Sequence, residues 1–293
     1  MEIAYCIICH RNTKILRTTI GILSNGNNNI YLHVDKKADI KDFNEYKNKV
    51  NFIEGNIDVT WASYSQIECM LLLLREASRK KYDYICLLSG DCLPLKNNNE
   101  IKDFFSKNNG KEFVGIQKEC NRNELENNIK YEHKGLCFKR NKSVLQSIVF
   151  KIQSKIIPLR RSKGSKMLPK LYKGPNWFCL SGGLCNYILE FLEKNKWYQT
   201  AFEKSFCADE VFFQTIIMNS KYKDKIYKYE VNYDDNHMAL RYIDWNSGPQ
   251  YPKILTIDDF ENIKMKQNSD CIFARKFNED IDIDNYKKSF NIK

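Results

Sequence analysis

Glu2–Cys9 (EIAYCIIC), Thr13–Leu23 (TKILRTTIGIL) and Ile30–Val34 (IYLHV) read in succession as strand, helix and strand. The outer two are short, nearly unbroken apolar runs, the pattern of strands covered on both faces. Between them Ile15, Leu16, Thr19, Ile20 and Leu23 recur at helical spacing, and Asn25–Asn29 supplies turn chemistry. A strand that leaves a buried sheet through a helix and returns beside itself is the unit of an α/β sheet with right-handed crossovers.

The same grammar continues outward. Asn51–Ile53 reads as a brief third strand, and Ser65–Lys80 as a helix with an apolar stripe of Ile67, Met70, Leu71, Leu74 and Ala77. Ser65 and Glu68 spell a capping box at its start. Tyr82–Leu88 (YDYICLL) is the next strand and runs into Ser89-Gly90-Asp91, polar residues at a carboxyl end, where open α/β sheets bind ligands. Phe113–Ile116 and Asn176–Leu180 read as strands, and Leu184–Phe191, Asp209–Met218 and Ile257–Lys266 as helices. Lys139–Lys170 stands apart: it is rich in Lys and Arg, and Val144, Ile148, Ile152 and Ile156 repeat every four residues, as in a basic amphipathic helix followed by a loop. No repeat or low-complexity linker divides the chain. The expectation is one α/β domain over residues 1–293, a Rossmann-like mixed central sheet flanked by helices.

Hydrophobic residues at 43% and aromatics at 13% supply a sizeable core and exclude a disordered chain. Lys and Arg outnumber Asp and Glu by 47 to 36, and the formal charge of +11 favours anionic partners: nucleic acid, acidic lipid or a phosphorylated small molecule. No recognised nucleic-acid-binding motif accompanies that charge, which argues against nucleic acid. No uninterrupted apolar run reaches the roughly 18 residues of a membrane span. Eleven cysteines form no zinc-like pair of CxxC motifs, and Cys6, Cys9, Cys86 and Cys179 sit inside apolar runs as small hydrophobes. With a core strand at the very start and no secretory signal, the expectation is a cytoplasmic protein with reduced thiols. Its basic segment is a candidate for peripheral contact with the anionic inner face of a membrane.

Several residues carry candidate chemistry. His33 and Asp35 end a buried strand, where Asp35 either accepts hydrogen bonds from a base or ribose or is a plain loop carboxylate. In Ser89-Gly90-Asp91, glycine permits close backbone approach and Asp91 projects from the sheet edge, as a ligand contact or as a local turn. Asp209 and Glu210 precede an apolar helix; they either cap it and complement its dipole or include a general base kept ionised there. Arg275 and Lys276 lie between Phe273 and Phe277, two cations suited to a diphosphate, with Arg241 and Lys253 as further anion contacts. Asp280, Asp282 and Asp284 spell overlapping DxD patterns near the end of the chain, away from a central strand, and the four histidines make no HExxH cluster, so no metal site is expected.

In this order, IAYCIICHRN, IYLHVDKK, VTWASYS, YICLLSGDCLPL, KGPNWFCLS, ADEVFFQT, LRYIDW and FARKF resemble the Core-2/I-branching β-1,6-N-acetylglucosaminyltransferase family, which includes the peptide O-xylosyltransferases (glycosyltransferase family 14). The resemblance covers roughly residues 3–290. It implies a GT-A fold and an inverting transfer of sugar, GlcNAc or xylose, from a UDP-sugar to a glycan hydroxyl, with no divalent metal or other cofactor. It implies Glu210 as catalytic base, Arg275 and Lys276 on the diphosphate, with Lys253 at about the spacing of a further cation. It also implies His33–Asp35 near the uridine, and Trp177 and Ser181 on the acceptor side, where the basic insertion 139–170 is also expected. The family's SGQDYPL stretch is SGDCLPL here, so Cys92 stands at the usual aspartate position and an aspartate has moved to Asp91. Animal members carry a membrane anchor and disulfides; their absence implies a bacterial member building surface polysaccharide or a lipid-linked glycan. A catalytically inactive UDP-sugar- or glycan-binding relative, or a basic nucleic-acid-binding protein, are the competing readings.

Overall fold

The chain runs through β1 (Ile3–Cys9), α1 (Lys14–Ser24), β2 (Asn29–Val34), β3 (Asn51–Phe52), α2 (Ser65–Ala77), β4 (Tyr84–Ser89), β5 (Leu93–Pro94), α3 (Asn98–Lys107), α4 (Arg122–Lys130) and α5 (Val144–Ile156). It continues through β6 (Cys179–Ser181), α6 (Gly182–Lys194), α7 (Lys196–Phe202), α8 (Phe212–Met218), α9 (Asp235–Met238), β7 (Arg241–Ile243), α10 (Phe260–Gln267), β8 (Phe273–Arg275) and α11 (Ile283–Ser289). This computed structural model describes residues 1–25, 29–156, 160–230, 234–249, 251–267 and 270–292, with side chains described outside 151–156 and 266–267. The expected turn over 25–29 thus lies largely outside the described residues, as do the side chains of Ile152 and Ile156.

The central sheet has the order β3-β2-β1-β4-β6, parallel except for β6, which runs antiparallel to β4. Alternation sorts each strand between two cores. Ala4, Cys6, Tyr31, Ile85 and Leu87 face the layer containing α2, α6 and α8, while Tyr5, Ile7, Leu32, Val34, Cys86 and Leu88 face the layer of α1 and α3. Both faces are covered, which is why the strands read as continuous apolar runs. The mixed sheet flanked by helices is the expected α/β arrangement. Cys6, Cys9, Cys86 and Cys179 are buried as free thiols.

Local chemistry adjusts three elements. Thr13 caps α1, its Oγ1 accepting from the Leu16 amide at 3.1 Å. The expected Ser65–Glu68 capping box does not form, because the Ser65 hydroxyl is taken by the amide of Thr60 at 2.8 Å; α2 has Tyr64 as N-cap, without a side-chain bond. Phe113–Ile116 makes only a bridge, Phe113 with Cys179, because Gly115 leaves the sheet to pack against Gly174. The helix expected over Asp209–Met218 is interrupted: a 3-10 turn spans Ala208–Glu210, after Cys207 in the left-handed region (φ 51°), and α8 starts at Phe212.

Parallel pairing places the carboxyl ends of β1, β2 and β4 on one edge, where Ile8, Cys9, His10, Arg11, Ser89, Gly90 and Asp91 line a small cleft. A second sheet, in the order β5-β8-β7, joins that edge: the Phe277 amide, just beyond β8, donates to the Asp91 carbonyl at 3.1 Å.

Candidate active site

Glu210 ends the 3-10 turn with its carboxylate 3.1 Å from the Lys173 ammonium, each side chain 35% exposed. The expected helix N-terminus does not hold it, since α8 starts two residues later; the lysine faces it instead. Burial works against the charge of Lys173, but the neighbouring carboxylate of Glu210 raises the ammonium above its ordinary value. The backbone fixes the pair: the Gly174 amide donates to the Glu210 carbonyl at 2.9 Å, and Gln214 Nε2 to the Pro175 carbonyl at 2.7 Å. Residue 174 has to be glycine, because a Cβ there would lie 1.9 Å from the Gly115 carbonyl oxygen; a Cβ on Gly115 would lie 2.2 Å from the Asp235 oxygen. Three backbone segments therefore meet without intervening side chains. Around them Gln117, Lys173, Glu210, Asp234, Asp235 and Trp245 line a cavity of about 420 Å³.

Glu210, Asp234 and Asp235 give this cavity its acidic lining, and Asp209 lies next to Glu210 outside that lining. Asp209 accepts from Asn176 Nδ2 at 2.8 Å, and burial, reinforced by Glu210, pushes its carboxyl up to about 7. Asp235 is also raised, by burial and then by Asp234, whereas the His237 ring beside Asp234 holds that carboxyl down at about 2. Trp245 leaves 46% of its surface exposed at the rim. Such a ring beside hydrogen-bond acceptors suits a sugar, which offers apolar C–H faces and hydroxyl edges.

From Asp209 the site continues unbroken to the cations. Asn176 precedes Trp177, which is buried, and the Arg275 guanidinium lies over the Trp177 ring at 5.0 Å. Lys276 follows, with Nζ 3.3 Å from Asp91 Oδ2 at the carboxyl end of β4. Glu210, Asp209, Trp177, Arg275, Lys276 and Asp91 are thus brought together from four separate stretches of chain. Gly90 is a close-approach position, since a Cβ there would meet the Cys9 Cβ at 3.0 Å. The Ser89 hydroxyl lies 3.2 Å from Cys92 Sγ, beneath the cleft floor.

Other expected contacts fall elsewhere. Arg241 is wholly buried and donates to the carbonyls of Ala239 at 2.7 Å and Leu87 at 3.0 Å, with its guanidinium 4.6 Å over Phe273. It braces the two sheets and has no surface to offer a diphosphate. The Lys253 ammonium is held 2.6 Å from the buried carboxylate of Asp259, the last residue of the turn before α10. Ser181 lies opposite Tyr84, at the amino end of β4 and away from the ligand edge. There it donates to Glu112 at 2.6 Å and caps α6. His33 is fully buried, accepting from the Ile57 amide at 2.9 Å. Asp35 receives the amides of Lys37 and Val59, so the pair shapes the rim loop after β2 instead of facing the cleft openly.

Asp282 caps α11 and Asp280 accepts from the Asn278 side chain, so the DxD spellings serve local turns. Among the described residues no group of three or more His, Cys, Asp or Glu side chains is disposed to hold a metal ion. Sequence reading passed over Lys173, Asp234, Asp235 and Trp245 as site residues. Lys173 and Trp245 lie inside the quoted KGPNWFCLS and LRYIDW stretches, whereas the Asp234-Asp235 pair carried no signal beyond two adjacent acids.

The family model of the Core-2/I-Branching enzyme matches residues 3–267. A xylosyltransferase of Ciona intestinalis is 22% identical over 310 residues, covering 96% of this chain and 33% of that protein, so the chain spans about a third of the length of the curated relative it matches. The match runs through the whole central sheet and Glu210 and ends before β8; over that length the chain belongs to the Core-2/I-branching family of glycosyltransferases, with a GT-A-like α/β fold.

Proposed function

We propose that the chain transfers a sugar, GlcNAc or xylose, from a UDP-sugar to a hydroxyl of a glycan, with inversion and without a divalent metal. The observation that carries this reading is the continuous set from Glu210 through Asp209, Asn176, Trp177 and Arg275 to Lys276, joining an acid-lined cavity to a cation-bearing strand end. Glu210 takes the proton of the acceptor hydroxyl as its oxygen attacks the anomeric carbon. The bond to the diphosphate oxygen breaks in the same displacement, and negative charge gathers on the leaving UDP. Arg275 and Lys276 neutralise that charge, the guanidinium as a planar fork steadied on Trp177 and the ammonium as a point charge. The ends of β1 and β4, with the loop organised by His33 and Asp35, receive the nucleotide. Glu210, Asp234 and Asp235 against the single cation Lys173 favour a neutral glycan acceptor over an anionic one. A surface polysaccharide or lipid-linked glycan of a bacterium is the setting this reading proposes.

The test is turnover of UDP-GlcNAc, UDP-xylose, UDP-glucose, UDP-galactose and UDP-glucuronate in EDTA, with neutral oligosaccharide acceptors. One donor consumed in EDTA, and lost on Glu210→Gln by a factor on the order of 10²–10⁴, supports the reading. Activity that appears only with Mn²⁺ or Mg²⁺ overturns the metal-independent part, and full activity of Glu210→Gln overturns the base.

A further inference from the structure

We propose that α5 and the basic residues of 160–166 form a docking surface for an anionic phospholipid membrane, placed beside the acceptor cavity. In α5, Val144, Leu145, Ile148 and Val149 leave 78%, 75%, 49% and 43% of their surfaces exposed. Positions i, i+1, i+4 and i+5 share one helix face, so these side chains form a single apolar strip standing in water. Met167, 58% exposed, adds a second apolar group in the same segment.

The charge around the strip identifies what covers it. Residues 133–189 contain 12 Lys and Arg and no Asp or Glu, while the rest of the chain carries 35 Lys and Arg against 36 Asp and Glu. The whole positive excess of the protein therefore lies in this one segment. Among the described residues, Lys139, Arg140, Arg160, Arg161, Lys163 and Lys166 form no ion pair, and the segment itself holds no acid to pair with them. A second copy of the chain would bring this cationic surface against itself. Nucleic acid would satisfy the cations but leave the apolar strip wet. An anionic lipid surface takes both: headgroups meet the cations, and the strip enters the acyl boundary. No helix among the described residues is long and apolar enough to cross a membrane, so the contact is peripheral for this part of the chain.

The surface is tied to the site. Arg140 Nη2 donates to the Tyr251 carbonyl at 3.5 Å, and the loop before Tyr251 carries Trp245, which lines the cavity around Glu210. A docked α5 would bring that cavity close to the membrane, where a glycan on a lipid carrier presents its hydroxyls. This last step rests on the glycosyl-transfer reading above; the docking itself does not.

The experiment is co-sedimentation of the full chain with phosphatidylcholine vesicles, with and without about a quarter phosphatidylglycerol, at low and physiological salt. The expected result is partition onto the anionic vesicles only, weakened by salt. Leu145→Asp/Ile148→Asp is expected to cut it by about tenfold or more while melting temperature and turnover on a water-soluble acceptor hold. Lys163→Glu/Lys166→Glu is a second variant expected to weaken binding without touching the strip. Absence of binding to anionic vesicles at low salt would overturn the proposal, as would binding indifferent to both variants. A dimer seen by sedimentation and dissolved by Leu145→Asp/Ile148→Asp, without vesicle binding, would assign the strip to a second copy. Vesicle binding is read without donor or acceptor, so a chain that binds vesicles but transfers no sugar would separate this proposal from the glycosyl-transfer reading.

Discussion

The Lys173 ammonium stands 3.1 Å from the Glu210 carboxylate, and the residue after the lysine donates its amide to the carbonyl of Glu210. The pair is held by backbone and by charge together. Lys173→Met is expected to lower kcat by about tenfold, because the carboxylate loses the cation that orients it. Lys173→Arg should restore part of the rate, and UDP affinity should be unchanged in both. Equal rates for Lys173→Met and the unaltered chain would remove the lysine from the catalytic arrangement.

Asp91 and Lys276 should move nucleotide affinity in opposite directions. Lys276→Ala removes a cation proposed for the diphosphate and should weaken UDP binding by roughly tenfold to a hundredfold. Asp91→Asn releases that cation from its 3.3 Å partner and should tighten UDP severalfold, more so at low salt. Isothermal titration with UDP reads both. A loss of affinity in Asp91→Asn would place the aspartate on the nucleotide itself.

Arg241 is expected to matter for stability and not for the leaving group. Arg241→Met removes the donors to the Ala239 and Leu87 carbonyls and should cost about 3 kcal/mol, seen as a lower denaturation midpoint. Folded Arg241→Met should bind UDP with the affinity of the unaltered chain. Weaker binding at unchanged stability would return Arg241 to the diphosphate.

The carboxyl of Asp209 is raised to about 7 from an ordinary value near 4. A group raised on folding contributes stability that is full below its unfolded value and is lost as pH climbs through the folded one. Between about pH 4 and pH 7, Asp209→Asn should therefore gain on the unaltered chain and then level off. The partial exposure of the residue limits the gain to about 2 kcal/mol. Urea unfolding across that range measures it; a constant difference with pH would show that Asp209 titrates low.

The strand-helix-strand opening was legible because β1, β2 and β4 are covered on both faces, so burial wrote itself into the sequence as unbroken apolar runs. Glu210 and Trp177 entered as candidates through the resemblance of ADEVFFQT and KGPNWFCLS, since the residues alone also allow a capping pair and a core tryptophan, while Arg275 and Lys276 stood out as two cations between phenylalanines. Arg241 and Lys253 misled for a physical reason: a cation in a sequence carries no mark of whether carbonyls or a buried carboxylate already occupy it. Ser181 misled because β6 is antiparallel, which sends the end of KGPNWFCLS to the far side of the sheet while Trp177 stays near the site. The break between Ala208–Glu210 and α8 falls at Val211 (φ −126°, ψ −33°), and the left-handed Cys207 opens the turn before it; no residue preference announces either. Asp234 and Asp235 reach the cavity only through the packing of Gly115, a contact between segments far apart in the chain.

The bare contact of Gly115, Gly174 and the Asp235 backbone divides the cavity around Glu210 into a frozen part and a tolerant one. A single methyl group at either glycine would pry the walls apart and carry Glu210 with them, since its carbonyl is fastened to residue 174. Trp245 and Asn246 line the same cavity outside that backbone contact, whereas the Gln117 side chain is hydrogen-bonded to Asp235. Under the proposed glycosyl transfer, substitutions at Trp245 and Asn246 are therefore expected to change which acceptor the cavity takes, while the placement of Glu210 stays with the two glycines.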